Sequence, residues 1–260
     1  MRIHSQKPGG FTFVELLTVI GVVGILAAIL VPAVKQAVLS SSLATSASNL
    51  RQLAAGTASY LSTNNHTFWP YRQRIDDGER YGIIWWFGYE EASSLNKPEG
   101  ERRFDPGQGP LAGYIPGGIQ PDPSFGFSAN AFKPKYKFGY LGVGYNVLLG
   151  GNWSGYGKPV RLSELENPAR PVVFATSAQV NTFQHPASSD NPMIEEFYGI
   201  DDQPRNQTVH FRHRGKALVS FADSSVGFLP MAEGTADRRA PEANVGRLEE
   251  RYLRPRPEEH

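Results

Sequence analysis

The 260-residue chain is 40% hydrophobic and 20% charged, enough for one domain with a core plus an anchor. Its formal charge of +1 offers no basic surface for nucleic acid, and the absence of cysteine excludes a disulfide framework and a thiolate metal site. Aromatic residues at 12%, with 27 Gly and 20 Pro, point to a loop-rich head whose core is built from large rings.

Met1 to Gly10 carries Arg2, His4 and Lys7, a short basic segment that the positive-inside rule keeps cytoplasmic. From Pro8 to Val34 the only charged side chain is Glu15. The apolar run Phe11 to Val31 measures about 31 Å as a helix, enough to cross a hydrocarbon core of about 30 Å. A carboxylate near the start of such a span is an expensive placement and needs a partner. Cleavage between Gly10 and Phe11 would supply one, an α-amino group four residues before Glu15. An ordinary secretory signal, with Leu16 to Val31 as its apolar region and a cut near Ser42-Leu43-Ala44, leaves Glu15 unexplained.

The stretch Gly10-Phe11-Thr12-Phe13-Val14-Glu15-Leu16-Leu17 closely resembles the signal of type IV prepilins and type II secretion pseudopilins. The shared features are a basic leader, a glycine before the cut, an aromatic first mature residue, and glutamate fifth in the mature chain. The resemblance implies removal of residues 1–10 by a prepilin peptidase and N-methylation of Phe11. Loss of Arg2 and Lys7 then takes the formal charge from +1 to −1.

Pro32 follows the span and is expected to kink or loosen the helix, since it lacks an N–H and crowds the preceding turn. Beyond it Ala33, Ala37, Ala44, Ala47, Leu50, Ala54, Ala58 and Leu61 recur at helical steps. A single helix is therefore expected from Phe11 to about Leu61, its part over 32–62 amphipathic, with alanines on an inner face letting a sheet pack close. Asn64-Asn65 and Pro70 should end it. Tyr60, that polar turn and Phe68-Trp69-Pro70 also resemble the pseudopilin pattern.

Residues 63–233 should form the head. Tyr81 to Tyr89, the most aromatic segment, reads either as a carbohydrate-stacking platform or as packing buried against the helix, and the bulk of Ile83, Ile84 and Phe87 favours packing. Glu99 to Gly118 is expected to be loop around a brief ordered patch at Leu111–Ile115. Tyr136 to Leu149 reads as short strands or a strand and a turn, Leu162 to Pro168 as a polar turn or short helix, and Pro171 to Ala175 as a buried strand. Ala178 to Gln207 looks like a long surface excursion. Thr208 to Phe228 contains three alternating runs separated by Arg214-Gly215-Lys216 and Asp223-Ser224-Ser225, the pattern of a three-strand meander. After Gly234 the chain is Arg-, Glu- and Pro-rich, so 234–260 is expected to be a loose tail.

The spacing of His213 and Asp223 resembles a His-x9-Asp-Gly motif that closes a subgroup of pilin-like proteins, with Ser224 where that subgroup has Gly. A serine adopts φ > 0 only at a cost, which favours a type I turn there. His210 and His213 invite a metal reading, but three apart on a strand they face opposite ways with no third ligand in view. Structural roles fit better: Asp223 capping its own turn and His213 hydrogen-bonding across the hairpin. The residues imply no cofactor. The resemblance leaves calcium open, with Asp190, Asp201, Asp202 and Asp223 as oxygen donors that lack a recognisable loop spacing. Asp76-Asp77, Glu90-Glu91 and Glu195-Glu196 read as solvated faces rather than acid/base pairs, and no catalytic motif is present.

The expected fold is α+β and pilin-like: a long N-terminal helix packed on an antiparallel β-sheet head. The resemblance implies a non-enzymatic subunit of a type II secretion pseudopilus or type IV pilus-like filament, single-pass in a bacterial inner membrane. The head would lie in the periplasm or in an extracellular filament. Its implied partners are the prepilin peptidase, copies of itself and other pseudopilins, an inner-membrane assembly platform and membrane lipid. From another class comes an alternative: a membrane-anchored or released periplasmic carbohydrate-binding protein or enzyme that uses this N-terminus only for export.

Overall fold

The computed structural model describes residues 12–125, 132–137 and 141–255. Helix α1 spans Phe13–Thr63 and continues through Pro32. Among the described residues thirteen strands follow: β1 (Arg72–Asp76), β2 (Tyr81–Trp85), β3 (Gly88–Glu91), β4 (Phe132–Lys133), β5 (Val143–Asn146), β6 (Val172–Thr176), β7 (Gln179–Asn181), β8 (Met193–Glu195), β9 (Gly199–Ile200), β10 (Val209–His210), β11 (Lys216–Phe221), β12 (Val226–Pro230) and β13 (Val245–Gly246). The chain is α+β, a long N-terminal helix followed by a β head, and it divides between Ser42 and Leu43 into two units.

In the first unit every described residue up to Ser41 is exposed. In the second, α1 buries Ser46, Leu50, Leu53, Ala54, Gly56, Thr57 and Leu61. This stripe differs from the alanine face expected from the sequence, since Ala33, Ala37, Ala44 and Ala58 are exposed. The close approach is made at Gly56 instead, where a Cβ would stand 2.5 Å from Ile115 Cγ1. The helix ends as expected at Asn64-Asn65. The His66 amide bonds back to the Leu61 carbonyl at 2.8 Å, and Asn65 and His66 take φ of 55° and 52°.

The central sheet runs β12-β11-β6-β5-β9, antiparallel except for β5 beside β9. β6 reads Val-Val-Phe-Ala-Thr and is buried at all five positions, the pattern of a strand covered on both faces. Smaller sheets are β1-β2-β3, β4-β8-β7 and β10-β13. The main core joins Leu50, Leu53 and Leu61 of α1 to a ring cluster in which Trp69 stacks on Tyr145 at 5.0 Å and Trp86 meets Phe174 at 5.0 Å. The aromatic segment 81–89 is thus split: Trp86 and Phe87, at the bend between β2 and β3, are buried, while Tyr81 is 57% exposed.

Three expectations need correction. The meander is a two-strand hairpin, β11 with β12, because β10 leaves it to pair with β13. Residues 178–207 are not a surface excursion: they supply β7, β8 and β9 and bury Val180, Glu195, Tyr198 and Ile200. The tail is not loose over its described residues to 255. β13 pairs with β10, Leu248 and Leu253 sit in a core with Phe211 and Val219, and Asn146 Nδ2 donates to the Leu253 carbonyl at 2.8 Å. The few apolar residues there are placed where each can dock, and a polar background does not prevent that.

Candidate functional site

The residues singled out in the sequence fall in two places, the start of α1 and the β10–β12 region. Gly10 and Phe11, the expected cleavage and methylation positions, lie outside the described residues, as do residues 1–9. Glu15 is described and exposed. Its Oε2 accepts from the Thr12 amide and the Thr12 hydroxyl, both at 2.8 Å, and its own amide donates to Thr12 Oγ1 at 3.2 Å. Thr12-x-x-Glu15 is therefore a reciprocal capping box, which satisfies two of the amides a helix start leaves unpaired. That spacing was legible in the sequence and was missed beside the more conspicuous lone charge. The helix behind it is long and apolar enough to span a membrane, and none of its most apolar window is buried.

In the head, Asp223 Oδ1 accepts from the Ser225 amide at 2.9 Å and the Ser225 hydroxyl at 2.6 Å, so it holds its own turn. The turn closes with Ser224 N donating to Phe221 O at 3.0 Å and Phe221 N to Ser225 O at 2.9 Å. Ser224 takes φ 69°, the left-handed conformation that the sequence reading counted against a serine, so a four-residue turn is followed by a bulge residue with φ > 0. His213 exchanges backbone bonds with Lys216 at 3.1 Å across Arg214-Gly215, whose φ values are 55° and 76°. Among the described residues the expected side-chain bond is absent: His213 Nε2 is buried without a hydrogen-bond partner. Burial, with the nearby Arg212 charge, pushes His213 down to about 4.

His210 is also buried. Its Nδ1 lies 3.1 Å from Arg212 Nη1, and burial with that charge holds the ring well below its ordinary value. Arg212 pairs with Asp122, whose side chain is 4% exposed against 3% for the arginine, and also donates to Gly142 O at 2.6 Å and Ser124 Oγ at 3.1 Å. Asp122 Oδ1 accepts from Ser46 of α1 at 2.6 Å. Burial pushes the Asp122 carboxyl up, but Arg212 and the serine hydrogen bonds more than offset this and leave it below its usual range.

The solvated-face reading of the acidic doublets holds for Asp76, Asp77 and Glu91 and fails for Glu90, Glu195 and Glu196, all fully buried. Glu90 takes a bidentate pair from Arg102 at 2.8 and 2.7 Å, with Trp85 Nε1 at 3.0 Å and the Tyr136 hydroxyl at 2.9 Å. Glu195 accepts from Lys133 at 3.3 Å, Gln179 at 2.5 Å and Asn181 at 2.8 Å, and Lys133 also pairs with Glu99. Glu196 accepts from the Tyr198 hydroxyl, and burial pushes its carboxyl up to about 7. The candidate calcium donors are scattered among other partners. Asp201 accepts from Trp153 and Asn206, Asp202 from Arg254, and Asp190 is exposed. Among the described residues no three His, Asp or Glu side chains converge as a metal set.

No family model, curated protein or solved structure matches the chain.

Proposed function

We propose that the chain is a pilin-like structural subunit, cut between Gly10 and Phe11 by a prepilin peptidase and assembled through α1. It would serve a type II secretion pseudopilus or a related filament. One observation carries this reading: described residues 12–41 are all exposed, predominantly apolar, and hold Glu15 as the sole charge before Lys35. Such a surface is stable only in lipid or against other apolar helices. A membrane accounts for the apolar residues but not for Glu15; a neighbouring copy with a free Phe11 amine accounts for both. The uncovered helix would hold the subunit in the inner membrane and then enter a bundle of like helices, where each Glu15 meets the Phe11 amine of another copy and sets axial register.

The capping box makes a sharp test available. Glutamine serves as well as glutamate at the third helical position of such a box, whereas alanine does not. Glu15→Gln therefore keeps the local structure and removes only the charge. Both Glu15→Gln and Glu15→Ala should be cleaved, giving a mass that begins at Phe11, and both should fail to enter sheared filaments. Incorporation of Glu15→Gln at wild-type yield would reduce Glu15 to a helix cap and refute the charge-pairing mechanism. A bulky residue at Gly10 should leave the leader attached.

A further inference from the structure

The head contains a cleft of about 260 Å³ whose walls include Tyr71, Arg72, Trp85, Lys135, Trp153 and Phe197. Its rings are held in place. Tyr71 stands edge-on to Trp153 at 4.9 Å and to Trp85 at 5.8 Å, and Trp153 lies 5.7 Å from Phe197. Trp153 is pinned by its indole N–H to Asp201 and lies over Gly199, where a Cβ would come within 2.6 Å of the indole. A second glycine, Gly155, lets the loop carrying Trp153 close on β1, since a Cβ there would fall 1.9 Å from the Arg72 carbonyl.

Three polar side chains of this cleft keep unused hydrogen-bonding capacity among the described residues. Tyr71 is 6% exposed and its hydroxyl makes no hydrogen bond among the described residues. Arg72 spends only its Nε, on a 3.4 Å bond to Ser154 O, with its guanidinium carbon 5.9 Å from the Trp85 ring centre. The Lys135 ammonium, 18% exposed, lies 5.7 Å from the Phe197 ring centre and pairs in charge with Glu195 and Glu99 at 3.9 and 4.0 Å, too long for hydrogen bonds, so its N–H donors stay unused among the described residues. The third cation of the lining, Arg102, is already matched by Glu90. Among the described residues no carboxylate lines the cleft. The unused hydrogen-bonding capacity is therefore that of two cations and one hydroxyl, on two chain segments, Tyr71-Arg72 and Lys135, around an aromatic floor.

We infer that this cleft binds an anionic pyranose, a hexuronate residue taken free or as a unit of an acidic polysaccharide. A pyranose offers an apolar C–H face to the rings, and its rim of hydroxyls and one carboxylate meets donors that come from several directions. A planar aromatic acid has its polar atoms at one end and would leave Tyr71 or one cation unmet. The volume sits just below the range of about 300–1,000 Å³ typical of drug-sized ligands, which suits a single ring. This inference is independent of the filament reading and holds whether or not the chain assembles.

The test is titration of the full-length protein in detergent with sodium galacturonate, sodium glucuronate, trigalacturonate and the methyl ester of trigalacturonate, followed by calorimetry and tryptophan emission. At least one uronate should bind saturably, with the ester at least tenfold weaker. Arg72→Gln and Lys135→Met, both at the cleft surface, should each weaken binding at least tenfold with an unchanged circular dichroism spectrum. Tighter binding of the trimer than the monomer supports a polysaccharide ligand, and equal binding supports a free sugar. The inference is overturned by ester binding equal to the acid, or by natively folded variants that bind like wild type. Preference for benzoate over both uronates, or no saturable uronate binding at millimolar concentration, also overturns it.

Discussion

Residues 12–41 carry two charged side chains, Glu15 and Lys35, and every one of these residues is exposed, whereas the head encloses Glu90, Asp122, Glu195 and Glu196 and gives each a donor. The head can hold carboxylates inside because the folded chain brings guanidinium, ammonium and hydroxyl groups to them. Among the described residues the N-terminal segment has only Thr12 to offer Glu15, from the same turn. The enclosed carboxylates of the head are therefore answered from distant parts of the fold, and the carboxylate at the start of α1 only by its own cap. The comparison breaks if removing an internal partner from the head proves harmless.

The largest effect on stability is expected at Arg212. Its pair with Asp122 is almost wholly enclosed, and Asp122 also receives Ser46 from α1. Arg212→Met would leave a buried carboxylate without its counter-ion, a loss of about 3–5 kcal/mol. Adding Asp122→Asn should restore most of it, because the uncompensated charge and not the lost contact dominates. Urea unfolding of both variants measures this. An Arg212→Met protein as stable as wild type would show that the head can leave a carboxylate unanswered.

A smaller effect separates two buried groups by pH. Glu196 is pushed up to about 7 by burial, so from about pH 4.5 to 7 the folded state holds a proton that the unfolded state has released. Its contribution is present at low pH and lost as pH rises through that window. His213 is pushed down to about 4, so between about pH 4 and 6.5 the unfolded state binds the extra proton and stability grows as pH rises. His210 is displaced the same way and adds to that rise. Glu196→Gln should steepen the rise of unfolding free energy between pH 4.5 and 6.5 by about 1.4 kcal/mol per unit, and His213→Gln should flatten it by as much. Parallel profiles for the two variants would remove the basis for treating these groups as oppositely displaced.

What the sequence disclosed and what it hid follow the same division. Local patterns were readable: the apolar run of α1, its end at Asn64-Asn65, the buried strand β6 and the β11–β12 hairpin all rest on neighbours within a few residues. Partnerships across long separations were not. Glu90 looks solvated until Arg102 and Tyr136 fold onto it, and Glu195 until Lys133 arrives from 62 positions away. The stretch after Gly234 looked too polar to pack because Ala243, Val245, Leu248 and Leu253 are sparse, yet their surroundings are supplied by β10, β11 and Asn146. The cleft was hidden for the same reason. Its rings come from segments around residues 71, 85, 153 and 197, and the aromatic run 81–89 contributes Trp85 while sending Trp86 into the core.

The smallest predicted effect is at Ser224, where local pattern and observed backbone disagree. The serine holds φ 69°, its side chain is exposed, and its hydroxyl makes no hydrogen bond among the described residues. A left-handed residue with a Cβ costs roughly 1–2 kcal/mol, and glycine avoids that cost while giving back about 0.5–1 kcal/mol in unfolded-chain entropy. Ser224→Gly should therefore stabilise the head by about 0.5–1 kcal/mol, raising the melting temperature by about 2 °C. The turn itself is held from both sides of this position, by Asp223 accepting from Ser225 and by the Phe221–Ser225 backbone bond, so the substitution removes strain and no contact. Ser225→Ala, which loses a 2.6 Å bond to Asp223, should move the melting temperature the other way. If Ser224→Gly melts at or below the wild-type temperature, the left-handed serine is not strained, and the bulge is held by something other than the turn described.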